Sequence, residues 1–418
     1  MRQHFRRCLV LAGLLTGVLA AAAGPRVVAV GDVHGDFDGV VSILQEAGLI
    51  DARSHWKGGN AILVQVGDLV DRGPRSRDVL DLFMALEAEA PHSGGRVVVL
   101  LGNHEVMNFM GDLRYVPREE FAQFASPSSE KLRQSAYSRY VDWRRNRKKA
   151  GADLPPELSR EAWMAQHPAG FIEHRQSFAA EGKYGRWLRQ RPAVFVLNGT
   201  AFVHGGFGPK TASESPETVD RKIHDEIAAF DRDSKVLTDE EIVPPFADWD
   251  ERTAAVNSEI HRRIANSVRS SDRAATALAD LSQSAGWLSV DPEGPLWYRG
   301  YDRLSDAEGS QLLASFLKSH SLQHVVAGHT PQSDRQIRSR FAGSVFEIDT
   351  GMLSSFYPGG QPSALEINDG QFTAIYRDRR ALLLAAPAPH AVLPKSAPTS
   401  SASGAAVRPT TPQPPSHP

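Results

Sequence analysis

Five short blocks of the sequence carry side chains that could grip metal ions or phosphate: GDVHGD (Gly31 to Asp36), GDLVDRG (Gly67 to Gly73), GNHE (Gly102 to Glu105), VHGG (Val203 to Gly206) and GHT (Gly328 to Thr330). Their Asp and Asn oxygens and imidazole nitrogens, with no sulfur among them, suit Mn, Fe, Zn or Mg in a site rich in oxygen and nitrogen. A pair of ions needs about this many ligands and a shared carboxylate, and adjacent ions can hold both the attacking and the departing oxygen of an in-line displacement at phosphorus. Singly, each block is weak, because an Asp or His after a strand is more often a cap, a turn residue or a satisfied core histidine. Five blocks in order, each closing a predicted strand, point instead to one site. The other histidines, among them His55, His92, His167, His174, His224, His261, His320 and His324, lack this context and read as structural or surface residues.

The elements that must position these blocks are short apolar runs. RVVAV precedes Gly31, AILVQV precedes Gly67, RVVVLL precedes Gly102, TAFV precedes His204 and HVVA precedes Gly328. Runs of this length that stop at Gly, Asp or His are how strands deliver polar residues to a sheet edge. Apolar residues recur at helical spacing over Val40 to Ala47 and Val79 to Leu86, so the opening reads strand, helix, strand, helix, strand, an α/β core with its site at the carboxyl ends of strands. Later, SVFEID, ALEI and QFTAIY predict a second sheet, with a hairpin where Asn368, Asp369 and Gly370 divide the last two runs. Stretches over about 106–191 and 209–321 exceed ordinary loop lengths and read as helical insertions roofing the strand ends. One basic run, Trp143 to Ala150, reads as a solvated helix face or as a docking surface for an acidic phosphorylated substrate.

Composition bounds the rest. With 418 residues, 41% hydrophobic, the chain can bury a sizeable core. A net charge of -2 gives no global pull toward nucleic acid or an anionic membrane. The single cysteine, Cys8, lies in an N-terminal apolar run from Cys8 to Ala23 preceded by Arg2, Arg6 and Arg7, which reads as a secretory signal cleaved near Ala22 or Ala23. Export to the periplasm or beyond is therefore the expectation, with no stable membrane insertion after cleavage; a cytoplasmic protein follows only if the leader is a start-site artefact. A mature chain from residue 24 would hold no thiol, which rules out disulfides, thiolate metal sites and cysteine-nucleophile phosphatase chemistry. From about Ala386 the chain turns to Ala, Pro, Ser and Thr and reads as a disordered tail, leaving 24–385 as the folded domain.

The blocks resemble the calcineurin-like metallophosphoesterases, and GDLVDRG with GNHE is similar to the phosphoprotein phosphatase branch of that superfamily. The longer strings GDVHGDFDGVVSIL and LLGNHEVMNFMGDLRYV resemble the Shewanella-like phosphatases, a mostly bacterial and plant group. The resemblance covers Arg26 to about Arg377, with the insertions matching loosely. It implies a four-layer αββα sandwich with helical insertions, and two divalent or trivalent ions. Asp32 and His34 would hold the first ion, Asp68 would bridge both, and Asn103, His204 and His329 would complete the second. Arg72, Asn103 and Arg299 would bind phosphate; a planar guanidinium fork suits that task better than Lys. His104 would be the general acid, oriented by Asp71, since a paired carboxylate fixes an imidazole's tautomer.

The implied reaction is hydrolysis of a phosphomonoester, with phosphoproteins as the expected substrates, by a metal-bound hydroxide without a phosphoenzyme intermediate. Two features depart from relatives. IDTGMLSSF around Asp349 replaces the SAPNYC segment of the eukaryotic enzymes, and Thr330 and Pro331 follow His329 where a GHxH ending occurs elsewhere. The alternatives are a symmetrical dinucleoside tetraphosphatase, against which Asp71 and export both argue, and a non-catalytic metal-binding protein, which would be expected to have lost ligands that are all present here.

Overall fold

Runs of β-branched residues form the opening strands, β1 (Val27–Val30), β2 (Ile62–Gln65) and β3 (Arg96–Val99). They lie parallel, with Val28 beside Leu63 and Leu63 beside Val97. Parallel neighbours require crossovers, and the helices Phe37–Glu46 and Ser76–Glu89 supply them. The remaining strands are β4 (Val194–Leu197), β5 (Thr200–Val203), β6 (His324–Ala327), β7 (Arg338–Arg340), β8 (Val345–Glu347), β9 (Ser363–Asn368), β10 (Gln371–Tyr376) and β11 (Arg380–Leu384). These assignments come from a computed structural model that describes residues 24–244, 246–266 and 272–386. The proposed leader, and the tail beyond Ala386, lie outside the described residues.

Two mixed sheets result. One has the order β11-β10-β9-β1-β2-β3 and the other β4-β5-β6-β8-β7. Alternation along each strand sends successive side chains to opposite faces. Ala29, Val64 and Val98 of the first sheet therefore meet Phe202, Val326 and Phe346 of the second. On the outer faces, Val28, Val30 and Leu63 pack on Ile43, Leu44 and Phe83, while Val203 and Val325 pack on Leu313 and Phe316. The layers are helix, sheet, sheet, helix, as expected. The Phe346 and Phe372 rings stack across the middle at 4.2 Å.

The assignment of strands to sheets differs from expectation. The hairpin of β9 and β10 forms with Asp369 and Gly370 at its tip, both at positive φ, but it does not build the second sheet. It extends the first, because β9 pairs antiparallel with β1. The second sheet is seeded instead by β5 and β6, which are parallel and adjacent. A short run records which face is apolar, whereas its partner is chosen by contacts hundreds of residues away.

Helices fill the chain between β3 and β4 and between β5 and β6, the longest being Ser129–Lys149, Pro216–Asp239 and Trp249–Ala265. Helix Trp249–Ala265 begins at a capping box of Asp248 and Glu251. The basic run lies on Ser129–Lys149 and is not one solvated face: Arg145 is exposed and pairs with Asp142, while Arg147 is buried against Glu259. The Arg147–Glu259 pair ties the two helical regions together, and Glu259 also receives Arg262 and Arg263 of its own helix, each at 2.7 Å. Among the described residues no helix is long and apolar enough to cross a membrane.

Candidate active site

The chain leaves β1, β2, β3, β5 and β6 at their carboxyl ends and turns sharply, and the side chains that follow come together. His34, Asp68, Asp71, Arg72 and His329 all adopt left-handed backbones, with φ of 50°, 60°, 70°, 66° and 67°. Each such residue costs about 1–3 kcal/mol and persists only where its surroundings over-determine it. Here the amides of Val33 and His34 both donate to the Asp68 carbonyl, at 2.9 and 3.0 Å, and the Arg72 amide donates to the Tyr115 carbonyl at 2.9 Å. The Glu105 carboxylate accepts from the amides of Asp68, Leu69 and Gly102 at 2.8–2.9 Å. Burial and the adjacent Asp68 charge push its carboxyl up to about 7. Glycine is required at this crossing, since a Cβ on Gly102 would sit 2.2 Å from Asp68 Oδ1.

Three imidazoles are locked by carbonyls, as metal-binding histidines commonly are. His34 Nδ1 meets the Val70 carbonyl at 3.0 Å, His204 Nδ1 meets Val66 at 2.8 Å, and His329 Nε2 meets Trp297 at 3.1 Å. Donation to those carbonyls leaves Nε2, Nε2 and Nδ1, respectively, facing inward. Asp68 Oδ2 lies between them, 3.6 Å from His34 Nε2 and 3.2 Å from His204 Nε2. Asn103 Oδ1 and His329 Nδ1 approach His204 Nε2 to 2.9 and 3.2 Å. Burial opposes charge on His204, yet Asp68 draws its imidazole up to about 9, while burial and then His204 hold His329 well below its usual range. This cluster of acceptors draws positive charge.

Asp32 completes the set. Its Oδ1 accepts the His329 amide at 2.9 Å, whereas its buried Oδ2 has no hydrogen-bond partner and lies 3.6 Å from His34 Nε2. An unpartnered buried carboxylate oxygen is costly unless a cation meets it. Two groups, His34 with Asp68 and His104, and Asp68 with His204 and His329, bring candidate ligand atoms within 4.8 Å of one another. Asp32 Oδ2, unpartnered and close to His34 Nε2, adds a carboxylate donor beside the first group, while the His104 imidazole is engaged by Asp71 at Nδ1. The residues present thus fit two cations sharing Asp68.

The other expected residues lie alongside. His104 Nδ1 meets Asp71 Oδ2 at 2.6 Å, and Asn108 holds the other Asp71 oxygen at 2.8 Å. The Arg72 guanidinium reaches His34 Nε2 at 2.5 Å and the Tyr357 hydroxyl, and is flanked by the rings of Tyr115, Phe356 and Tyr357 at 5.2–5.4 Å. Arg299 is half-buried and donates to the His329 carbonyl at 2.9 Å. All ten residues singled out from the sequence therefore lie in or against one site.

Sequence reasoning missed Glu105, Asn108, Tyr115, Tyr357 and Asp349 as contributors. Asp349 is buried, and its carboxyl is pushed well above the usual range by burial and by Asp32. Only Glu105 carried a signal, as the fourth residue of GNHE, where its carboxylate accepts the Gly102 amide at the start of helix Asn103–Met110.

The family model for calcineurin-like phosphoesterases matches residues 25–333. An uncharacterised protein of Schizosaccharomyces pombe is 29% identical over 362 residues, covering 84% of this chain and 81% of the relative. Shewanella-like protein phosphatase 2 of Arabidopsis thaliana is 30% identical over 217 residues, 49% of this chain and 52% of the relative. Among solved structures, the cold-active protein-tyrosine phosphatase of a psychrophilic Shewanella matches with a TM-score of 0.55 and 22% identity, over 86% of this chain and 80% of that one. At that identity the likeness concerns the fold.

Proposed function

Because the chain belongs to the calcineurin-like phosphoesterase family, whose members hydrolyse phosphoesters, we propose that it is a dinuclear phosphomonoesterase acting on phosphoproteins. One observation carries the reading: six oxygen and nitrogen donors, a His–Asp pair and an arginine fork all face one point. Asp32, His34 and Asp68 would hold one cation and Asp68, Asn103, His204 and His329 the other. Mn, Fe, Zn and Mg all suit such donors. When bound, the cations supply Lewis acidity toward phosphate and activate water at neutral pH. The similarity to an Arabidopsis protein phosphatase supports a phosphoprotein substrate.

The chain's own residues do the rest. Arg72 donates to the Nε2 atoms of His34 and His104, the atoms that a cation and a leaving oxygen need. The guanidinium must therefore turn to another acceptor, and a substrate phosphate offers one. His104, with Nδ1 held by Asp71, then presents Nε2 to the departing oxygen as general acid. Phosphate is common to every substrate, so Arg72→Ala is expected to lower kcat/KM by roughly 10- to 150-fold, the equivalent of about 1.5–3 kcal/mol for hydrogen bonds to charged groups, and by the same factor on all of them. Rates on phosphoserine and phosphotyrosine peptides and on nitrophenyl phosphate check this; a loss confined to one substrate would remove Arg72 from phosphate binding. Dinucleoside tetraphosphate belongs in the same panel, and faster turnover of it than of any phosphopeptide would overturn the phosphoprotein reading.

Export is part of the proposal. The arginines and apolar run of residues 1–23 support a cleaved leader. Mature protein taken from its own host is expected to begin near Ala23 or Gly24 and to lie outside the cytoplasm. N-terminal sequencing decides the matter, and an intact Met1 in the soluble cytoplasmic fraction would refute export.

A further inference from the structure

Behind the His104–Asp71 pair a line of buried polar groups continues into the first helical region. The Asp71 amide donates to Ser76 Oγ at 3.1 Å, and Ser76 Oγ donates to Glu120 Oε2 at 2.7 Å. Glu120 Oε1 lies 3.5 Å from His174 Nε2, and neither that oxygen nor either His174 ring nitrogen makes a hydrogen bond. Asp71, Ser76, Glu120 and His174 are all 0% exposed. The His174 ring is enclosed by Phe121, Phe124 and Phe178 at 4.6–5.1 Å.

Stability does not account for this arrangement. A fully buried carboxyl group beside a phenylalanine-enclosed imidazole gains nothing over an apolar side chain of similar volume, which would remove the cost of the unpartnered atoms. Burial and then Asp71 push the Glu120 carboxyl well above its usual range, and burial and then Arg175 hold the His174 imidazole well below. Both shifts favour the uncharged forms, so Glu120 competes less with Asp71 for His104. What Glu120 does hold is the Ser76 hydroxyl, and that hydroxyl accepts the amide of Asp71, a residue in the left-handed region.

We propose that Glu120, backed by His174, is a positioning residue for the general acid, acting through Ser76 to fix the Asp71 backbone so that its carboxylate meets His104. The proposal rests on the acid role assigned to His104 above. Glu120→Ala is expected to lower kcat on a phosphoserine peptide roughly tenfold with KM unchanged, the equivalent of one lost hydrogen bond, and to leave nitrophenyl phosphate hydrolysis within about twofold. Glu120→Gln, which keeps the acceptor, should restore the rate. In a His104→Asn background Glu120→Ala should cost nothing further, because the group it positions is gone.

The proposal is overturned by equal losses on both substrates, by a full additional loss in the His104→Asn background, or by failure of Glu120→Gln to restore the rate. Should Glu120→Ala not fold, Ser76→Ala cuts the same line and must show the same substrate-selective loss; an unselective Ser76→Ala equally defeats the idea. Wild-type protein measured alongside separates the two readings. Phosphoserine activity in the wild type with an unselective Glu120 series sinks the positioning role alone, whereas nitrophenyl phosphate hydrolysis without phosphoserine activity in any variant sinks both.

Discussion

Asp68→Asn is expected to abolish phosphomonoester hydrolysis and to lower bound metal from about two ions per chain toward one. Among the described residues Asp68 is common to both candidate ligand groups, its Oδ2 lying 3.6 Å from His34 Nε2 and 3.2 Å from His204 Nε2. An amide keeps one oxygen but loses the negative charge that lets two cations sit side by side. Losing about 4 kcal/mol of transition-state stabilisation is a factor of roughly a thousand in rate. Asn also tolerates the left-handed backbone that Asp68 adopts, so the substitution tests the bridge without straining the turn. Metal content by elemental analysis and kcat/KM on nitrophenyl phosphate are the two readouts. An active variant with a full metal complement would remove Asp68 from the bridging position.

His104→Asn separates proton transfer from metal binding. A serine alkoxide leaves as a much stronger base than a phenolate, whose conjugate acid has a pKa of about 10, and nitrophenolate needs a proton least. The loss should therefore be greatest on phosphoserine peptides, roughly 100- to 10,000-fold, smaller on phosphotyrosine peptides and smallest on nitrophenyl phosphate. Asp71→Asn should follow the same order more mildly, since it disturbs the imidazole through the 2.6 Å contact at Nδ1. Metal content must be measured with each rate, so that a collapsed site is not mistaken for lost proton transfer. A His104→Asn variant that keeps its metals and loses the same factor on all three substrates would make His104 a phosphate-binding residue instead.

Nine of the ten site residues could be read from the sequence because each follows a strand's end by a few positions, and the strands announce themselves as runs of Val, Ile, Leu and Ala stopped by Gly or Asp; Arg299, inside the second insertion, was legible only through the family resemblance. The fold class followed from the same alternation of runs and helical spacing. What stayed hidden depends on distance along the chain. β9 joins β1 across more than three hundred positions, and no local pattern marks such a partner. β7, with the sequence RSR, has no apolar face to betray it. Tyr357 reaches Arg72 from 285 positions away, and Tyr115 acts there through its main-chain carbonyl as well as its ring, a role that carries no residue signature. Glu120 and His174 are likewise unreadable as a pair until the helices Arg118–Phe124 and Phe171–Phe178 have packed together.

The left-handed turns also bear on how such a site can drift over generations. Asp, Asn and His are the side chains that most readily accept positive φ, and they are also oxygen and nitrogen donors for hard and borderline cations. At His34, Asp68 and His329 a mutation must satisfy both conditions at once. Longer side chains and above all β-branched ones pay more for that backbone. Exchanges among Asp, Asn and His therefore disturb these three positions least, together with glycine, which keeps the turn but loses the metal. A lineage leaving this chemistry would be expected to pass through such glycine or asparagine forms, with the turns intact long after the catalysis has gone.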